Sequence, residues 1–189
     1  MRGVIFDLDG TLVDSRLDFA RIRADLGLPV GAPILETLDA LADPEERERL
    51  HARLLRHELD CAAAATLMPG ARALLDGLRA AGLKLGIFTR NAREVTTFTL
   101  ARLALSVDHV VAREDAPPKP DPTGLHDLCA RWGLGPAEVL YVGDYLFDLQ
   151  AGQNAGIKTL LYAPEPPDFP CAGAVIIRSL DDVKSVLGV

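Results

Sequence analysis

Four groups of polar residues follow apolar runs in this 189-residue sequence, and their types suit one kind of chemistry. The groups are Asp7-Leu8-Asp9-Gly10-Thr11, Thr89-Arg90-Asn91, Lys119-Pro120-Asp121-Pro122, and Gly143-Asp144 with Asp148 shortly after. Aspartate oxygens are hard ligands that suit Mg²⁺ better than a soft metal. Carboxylates that crowd together repel one another, and a divalent cation removes that cost. The aspartates of these groups therefore predict a Mg²⁺ site, with the members Asp7, Asp9, Asp144 and Asp148.

The remaining members of these groups are suited to a phosphate. Lys119 supplies an ammonium and Thr89 a hydroxyl donor. An ammonium, a hydroxyl and a metal that face the same point can hold phosphate oxygens. A carboxylate directed at that point can attack phosphorus, and a second carboxylate two residues further on can protonate the leaving oxygen. The predicted chemistry is phosphoryl transfer.

Alternating strands and helices must bring these groups together. Short apolar runs predict buried strands at 3–6, 83–88, 107–111, 139–142, 158–162 and 174–177. Helical periodicity predicts helices at 71–81, 94–105, 123–132, 146–155 and 180–187. This alternation is typical of an α/β fold, a doubly wound, Rossmann-like, mostly parallel sheet with helices on both faces. Ligands bind beyond the carboxyl ends of such strands, so we expect the four groups at one edge of the sheet.

One segment interrupts the alternation. Residues 16–66 carry no strand signal, and helices are predicted at 17–26, 34–41 and 45–64. The last has a clear start, with Asp43 as N-cap, Pro44 at the first helical position and Glu46 three residues after the cap. We expect an α/β core of residues 1–15 and 67–189, with residues 16–66 forming a small helical cap inserted after the first strand.

With these motifs in this order, the chain resembles the haloacid dehalogenase superfamily of phosphohydrolases. The similarity is to its small-cap branch and to phosphoglycolate phosphatase-like members. The resemblance implies that Asp7 is the nucleophile that becomes an aspartyl phosphate, and that Asp9 is first the general acid and then the base that activates water. It also implies phosphate binding by Thr89, Arg90 and Lys119. The implied Mg²⁺ ligands are Asp7, the backbone carbonyl of Asp9, and Asp144, with support from Asp148.

Two residues depart from the common pattern of that superfamily. Tyr145 occupies the position after Asp144, where a small residue, often serine, is usual. Arg90 stands between a threonine and an asparagine that are often adjacent. The predicted cap is also shorter than in typical phosphoglycolate phosphatases. These departures leave the phosphoryl site intact and bear on the choice of substrate.

The substrate that these features predict is a small phosphorylated metabolite. Three arginines at the start of the predicted cap are candidates for contacting it, namely Arg16, Arg21 and Arg23. A phosphomutase of the β-phosphoglucomutase type is the closest alternative, although it needs a larger sealing cap than about 50 residues provide. From another class, the alternatives are a phosphoacceptor signalling protein or a catalytically idle relative. The complete set of motifs disfavours an idle protein.

Composition limits the partners and the compartment. The net charge is −7, which disfavours nucleic acid, because phosphate backbones select basic surfaces. No apolar run reaches the roughly 18–20 residues of a membrane span, and Asp7 and Asp9 occupy the position of a signal peptide's apolar region. The three cysteines are far apart and predict neither a zinc site nor a disulfide framework. We therefore expect a cytoplasmic enzyme with no membrane partner.

Overall fold

The computed structural model describes residues 1–188 and divides them into two compact units. The first unit combines Met1–Asp14 with the described residues from Thr66 onward. The second unit is Ser15–Ala65. The chain therefore crosses between the units after Asp14 and again after Ala65.

The first unit is built on a six-stranded sheet in which every pairing is parallel. Its strands are β1 (Gly3–Phe6), β4 (Lys84–Phe88), β5 (His109–Val111), β6 (Val139–Gly143), β7 (Lys158–Tyr162) and β8 (Val175–Ile177). Their order across the sheet is β5-β4-β1-β6-β7-β8. The chain thus winds outward from β1 in one direction and later in the other, which makes the carboxyl end of β1 the topological switch point.

Helices cover this sheet. They are α4 (Ala71–Ala80), α5 (Arg93–Arg102), α6 (Thr123–Trp132), α7 (Leu146–Ala155) and α8 (Asp182–Leu187). Helices α6 and α7 pack against each other and against strands β4 to β7, while α4 packs on β4 and against α8. All four residues of β1 are buried, so its sequence is apolar throughout rather than alternating. The predicted doubly wound α/β fold is confirmed.

A small second sheet was not predicted. Strands β2 (Val13–Asp14) and β3 (Thr66–Leu67) pair antiparallel at the two points where the chain crosses between the units. Each strand has only two residues, which is too short for a period of two to show in the sequence.

The second unit is entirely helical. It contains α1 (Phe19–Leu26), α2 (Ile34–Asp39) and α3 (Pro44–Ala64). The side chain of Asp43 accepts the Glu45 N–H at 3.0 Å, as its position before Pro44 predicts. The unit has its own apolar core, made of Ile22, Leu26, Ile34, Leu35, Leu38, Leu50 and Leu54. Residues 15–65 therefore pack as a helical body in their own right.

Within residues 1–188, no helix combines the length and the apolar character needed to cross a bilayer.

Candidate active site

The site begins where β1 ends. Asp7 follows Phe6 directly, and its backbone N–H donates to the Val142 carbonyl at 2.8 Å, which continues the pairing of β1 with β6. The chain then turns at Gly10, whose φ of +79° lies in the left-handed region that glycine adopts without strain. A Cβ at Gly10 would overlap the Asp144 carboxylate. The turn therefore requires glycine for its conformation and for its close approach to Asp144.

Lys119 links two of the aspartates from different parts of the chain. Its Nζ lies 2.5 Å from Asp7 Oδ1 and 2.7 Å from Asp148 Oδ1. The ammonium is buried, and it also lies 5.6 Å from the centre of the Phe88 ring. Burial lowers the pKa of Lys119, but the carboxylates of Asp148 and Asp7 outweigh that effect and raise it above its ordinary value. Lys119 is therefore a fixed positive charge beside Asp7.

The loop between β6 and α7 supplies the remaining acidic side chains. Asp144 accepts a hydrogen bond from Thr11 Oγ1 at 3.1 Å. Asp148 lies in the first turn of α7, where it accepts the Tyr141 hydroxyl at 2.5 Å and the Tyr145 backbone N–H at 3.0 Å. Asp148 is thus held by hydrogen bonds from the preceding strand and from its own helix start, in addition to Lys119.

Burial of these acidic groups is electrostatically costly. It raises the pKa of Asp7 well above its ordinary value, and the neighbouring carboxylates add to that effect while Lys119 opposes it. Burial, followed by the charge of Asp148, raises the pKa of Asp144 to about 7, although Lys119 and Thr11 lower it. Ionising all three carboxyl groups beside a single ammonium is therefore unfavourable unless a cation binds there.

The donor set fits a divalent cation. One carboxylate oxygen from each of Asp7, Asp144 and Asp148 lies within 4.8 Å of the other two. Hard oxygen donors at this spacing are those that Mg²⁺ uses, and a divalent cation would offset the mutual repulsion of the three carboxylates. The Asp9 carboxylate is not in this triad, and metal binding by the Asp9 backbone carbonyl stays a prediction.

Asp9 instead has a partner from the loop after β4. Asn91 Nδ2 donates to Asp9 Oδ2 at 2.5 Å, and the Asn91 backbone N–H donates to Thr89 Oγ1 at 3.1 Å. Thr89 is buried at the carboxyl end of β4, beside the end of β1. The loop therefore places Thr89 at the same edge of the sheet as Asp7 and connects it through Asn91 to Asp9.

The four predicted arginines occupy different places. The Arg90 Nη1 donates to the Lys119 carbonyl at 3.0 Å, so Arg90 lies beside the loops that form the site. Arg16, Arg21 and Arg23 belong to the helical unit. The Arg21 backbone N–H is capped by Asp18 at 2.9 Å, and Arg23 Nε donates to the Ala32 carbonyl at 2.8 Å. Substrate contact by these three arginines stays a prediction.

Three supporting residues were not identified from the sequence. Tyr141 reads as an ordinary core residue of a buried strand, because only the fold brings its hydroxyl to Asp148. Thr11 and Asn91 lie inside motifs that the sequence shows, but nothing in the sequence indicated that they hydrogen-bond to Asp144 and Asp9. Each supports a carboxylate of another element or loop, so its function depends on packing that the local sequence does not show.

Comparison with known proteins places this arrangement in a family. Residues 4–162 match the family described as haloacid dehalogenase-like hydrolase. A haloacid dehalogenase-like hydrolase domain-containing protein of Arabidopsis thaliana is 31% identical, covering 98% of this chain and 82% of the relative. A phosphoglycolate phosphatase of Synechococcus elongatus is 33% identical, covering 83% and 81%. An N-acetylmuramic acid 6-phosphate phosphatase of Pseudomonas putida is 32% identical, covering 84% and 81%.

A solved structure agrees with the fold. The crystal structure of a hydrolase from Pseudomonas syringae superimposes with a TM-score of 0.80 at 23% identity, covering 100% of this chain and 99% of that one. The family match spans the strands that carry all four motifs, and phosphatases stand among the relatives. The predicted resemblance is thereby confirmed: this chain belongs to the haloacid dehalogenase-like hydrolases and is similar to their phosphoglycolate phosphatase-like members.

Proposed function

We propose that this protein is a Mg²⁺-dependent phosphatase that hydrolyses a small phosphorylated metabolite through an aspartyl phosphate on Asp7. The observation that carries the proposal is the buried Asp7 carboxylate, which directly follows β1. It lies 2.5 Å from the Lys119 ammonium, and its oxygen is within 4.8 Å of carboxylate oxygens of Asp144 and Asp148. Relatives named as phosphatases of phosphoglycolate and of N-acetylmuramic acid 6-phosphate support hydrolysis of phosphate monoesters.

The first step is transfer of the phosphoryl group to Asp7. A carboxylate oxygen of Asp7 attacks phosphorus, and the bond from phosphorus to the leaving oxygen breaks. Asp9 gives its proton to that oxygen, so the product leaves as a neutral alcohol. The ammonium of Lys119 and the hydroxyl of Thr89 bind the phosphoryl oxygens as negative charge moves onto them. Asn91 holds the Asp9 carboxyl in place.

The second step returns Asp7 to its starting state. Asp9 is now a carboxylate, and it takes a proton from a water molecule that attacks phosphorus. The bond between phosphorus and the Asp7 oxygen breaks, which releases inorganic phosphate and leaves Asp9 protonated for the next cycle. Asp9 acts as acid and base in turn because the attacking water enters from the side on which the alcohol has left.

Asp7, Asp144 and Asp148 fit a Mg²⁺ ion, with the Asp9 carbonyl as a further ligand. When bound, the ion neutralises the crowded carboxylates and draws charge from the phosphoryl oxygens. Tyr141 and Thr11 fix the carboxylates that would hold it. These hydrogen bonds orient the ligands before the ion or the substrate binds.

Two finer assignments belong to the same proposal. Residues 16–66 act as a cap that selects the substrate, and Arg16, Arg21 and Arg23 are its candidates for binding an anionic leaving group. Arg90 is a candidate for binding the phosphoryl group, because it follows Thr89 and donates to the Lys119 carbonyl. The cytoplasmic location stays a prediction from the sequence.

The test is a screen of phosphorylated metabolites with Mg²⁺ that measures released phosphate. The wild-type protein should release phosphate from at least one small monoester. Asp7→Asn should reduce turnover at least about 10³-fold, because the amide is a far weaker nucleophile and carries no charge for a metal. The control is Asp76→Asn, which removes an exposed aspartate from α4. Turnover that survives both Asp7→Asn and chelation of divalent ions would falsify the proposal.

A further inference from the structure

Three aromatic rings that the chemistry above does not use form a cluster, and the guanidinium of Arg90 lies against it. Tyr145 packs edge-on against Phe147, with ring centres 5.4 Å apart, and against Phe169 at 5.1 Å. The guanidinium of Arg90 lies over the Phe147 ring, 4.9 Å from its centre. We call Tyr145, Phe147, Phe169 and Arg90 the aromatic rim.

The aromatic rim is attached to the loops that carry the site. Tyr145 follows Asp144, and its backbone N–H donates to Asp148 Oδ2 at 3.0 Å. Arg90 follows Thr89 and donates to the Lys119 carbonyl at 3.0 Å. The cluster therefore touches the loops after β4 and β6 and the Lys119 loop. These segments carry Thr89, Lys119 and the predicted metal ligands Asp144 and Asp148.

Tyr145 is held in place and yet exposed. Two edge-to-face contacts and one backbone hydrogen bond fix it, although 49% of the residue remains accessible. A fixed aromatic surface beside a polar site gives a ligand a large contact area with little loss of side-chain entropy. The rim is also where this sequence has a tyrosine after Asp144, in place of the usual small residue.

We propose that the aromatic rim is the subsite for the leaving group of the substrate, and that this leaving group contains a ring with an apolar face. A sugar ring and a nucleobase share that chemistry, since each presents a flat face to an aromatic side chain. A short open chain has no such face. Arg90 adds a cation at the same place, which suits a leaving group that also carries polar substituents. This assignment rests on the proposed phosphatase activity, whose substrate class it narrows.

The experiment compares two pairs of phosphate esters. Glucose 6-phosphate and its open-chain counterpart sorbitol 6-phosphate differ in the sugar ring, and uridine 5′-monophosphate and ribose 5-phosphate differ in the base. For each pair, the ratio of kcat/KM values is measured in the wild-type protein, in Tyr145→Ala and in Phe169→Ala. The matched control is Phe98→Ala, which removes an aromatic residue of similar exposure, 42%, from helix α5 and outside the rim.

Tyr145→Ala and Phe169→Ala should lower the ratio in one pair about tenfold, the size of the effect expected when one aromatic contact is lost. Phe98→Ala should leave both ratios unchanged. A fall confined to the first pair identifies a sugar ring, and a fall confined to the second pair identifies a nucleobase. Unchanged ratios in both rim variants, or an equal fall in Phe98→Ala, would overturn the subsite.

A binding measurement separates this subsite from the proposed function. Calorimetric titration of the same esters, with Mg²⁺ present, reports binding without turnover. If no ester is hydrolysed but the ring-containing esters bind more weakly to Tyr145→Ala than to the wild-type protein, the phosphatase proposal fails and the subsite stands. If the esters are hydrolysed and the ratios do not depend on the rim, the phosphatase proposal stands and the subsite fails. If no ester is hydrolysed and binding does not depend on the rim, both the phosphatase proposal and the subsite are overturned.

Discussion

Asp9 and Asp7 are two residues apart, but they lie in different surroundings. Asp7 is buried against Lys119, whereas Asp9 is half-buried and accepts a hydrogen bond from Asn91. Two carboxyl groups in such different environments are suited to different tasks. The Lys119 ammonium favours the charged form of Asp7 against the effect of burial, while the Asp9 carboxylate lies outside the acidic triad.

This difference makes Asp9→Asn informative. The variant should lower turnover of esters with poor leaving groups by roughly 10²–10⁴-fold, because protonation of the leaving oxygen is lost. Nitrophenyl phosphate, whose leaving group needs little protonation, should still transfer its phosphoryl group to Asp7. Rapid-quench measurement of that first step checks the prediction for both kinds of ester. An equal defect with good and poor leaving groups would show that Asp9 is not the acid.

The sequence predicted the charged members of the site better than their supports. Asp7, Lys119, Asp144 and Asp148 could be placed together because each follows a strand of a parallel sheet, and such strand ends share one edge. Tyr141 could not, because the apolar pattern of a buried strand does not reveal that one of its core side chains places a hydroxyl against Asp148. Motif residues follow from local sequence, whereas their hydrogen-bond partners follow from how the elements pack.

At the scale of elements, the junction of β6 and α7 is the most constrained point. Gly143 ends β6, and a Cβ there would overlap the side chain of Asp148 in the first turn of α7. The close contact keeps Asp148 beside Lys119. The lack of a side chain at Gly143 therefore lets β6 pack directly against Asp148.

Gly143→Ala should disturb that junction. We expect a loss of about 1–3 kcal/mol in the free energy of unfolding, because the added methyl overpacks the turn. A displacement of Asp148 by about 1 Å should also cost activity on the order of 10²-fold. Urea denaturation and turnover measure the two effects. Gly135→Ala is the matched control, since a Cβ there would lie 3.8 Å from its nearest neighbour, Glu138 Oε2. Similar losses in both variants would contradict the explanation.

In the helical unit, Asp25 joins α1 to α3. Arg53 donates to both of its carboxylate oxygens, at 2.7 and 3.2 Å, and His57 Nε2 lies 3.0 Å from Asp25 Oδ2. These hydrogen bonds, that of His57 first and that of Arg53 second, lower the pKa of Asp25 below its ordinary value. The carboxylate is therefore more stable in the folded protein than in the unfolded chain.

That lowered pKa predicts a pH-dependent difference between the wild-type protein and Asp25→Asn. A lowered carboxyl pKa stabilises the fold above the unfolded value of about 3.9, and the gain is lost as the pH falls through the folded value. Asp25→Asn should therefore be less stable than the wild-type protein at pH 7, and the gap should narrow below about pH 4. Urea denaturation at several pH values measures the gap. Asp60→Asn, an exposed site on α3, should show no such narrowing; a gap independent of pH would contradict the prediction.

The large elements could be predicted from the sequence because each is long enough to show its period. Strands of three to five residues and helices of ten appeared within a few residues of their observed bounds, as β4 (Lys84–Phe88) and α6 (Thr123–Trp132) illustrate. Strands β2 and β3 could not be predicted, since a strand of two residues is too short to show an alternating pattern. The bounds of α5 also differ, because Arg102 ends it while apolar residues continue to Leu105.

For the whole molecule, the order of strands explains why residues from distant segments meet. The chain places β4 and β6 on either side of β1, so the loops after these three strands converge at the switch point. Asp7, Thr89 and Asp144 come from those loops although up to 137 positions, 144 − 7, separate them. A sheet wound in one direction only would place β4 and β6 on the same side of β1 and separate Asp144 from Asp7.

This convergence brings several carboxyl groups together in the core of the first unit, and a bound cation should therefore stabilise the fold. Burial and the neighbouring carboxylates raise the pKa of Asp7 and Asp144, so ionising these groups without a cation is unfavourable. Mg²⁺ at 100 times its dissociation constant should add about 2.7 kcal/mol to the free energy of unfolding, since it binds the folded chain alone. Thermal denaturation with increasing Mg²⁺ measures the rise in Tm.

Asp144→Asn tests whether that rise comes from the acidic triad. The variant removes one carboxylate of the triad and part of the repulsion, so its Tm without Mg²⁺ should not fall far, while the rise with Mg²⁺ should disappear. Asp76→Asn, at an exposed position on α4, should keep the full rise. A Mg²⁺-dependent rise that persists in Asp144→Asn would place the stabilising cation elsewhere. No rise in the wild-type protein would mean that Lys119 alone balances the buried carboxylates.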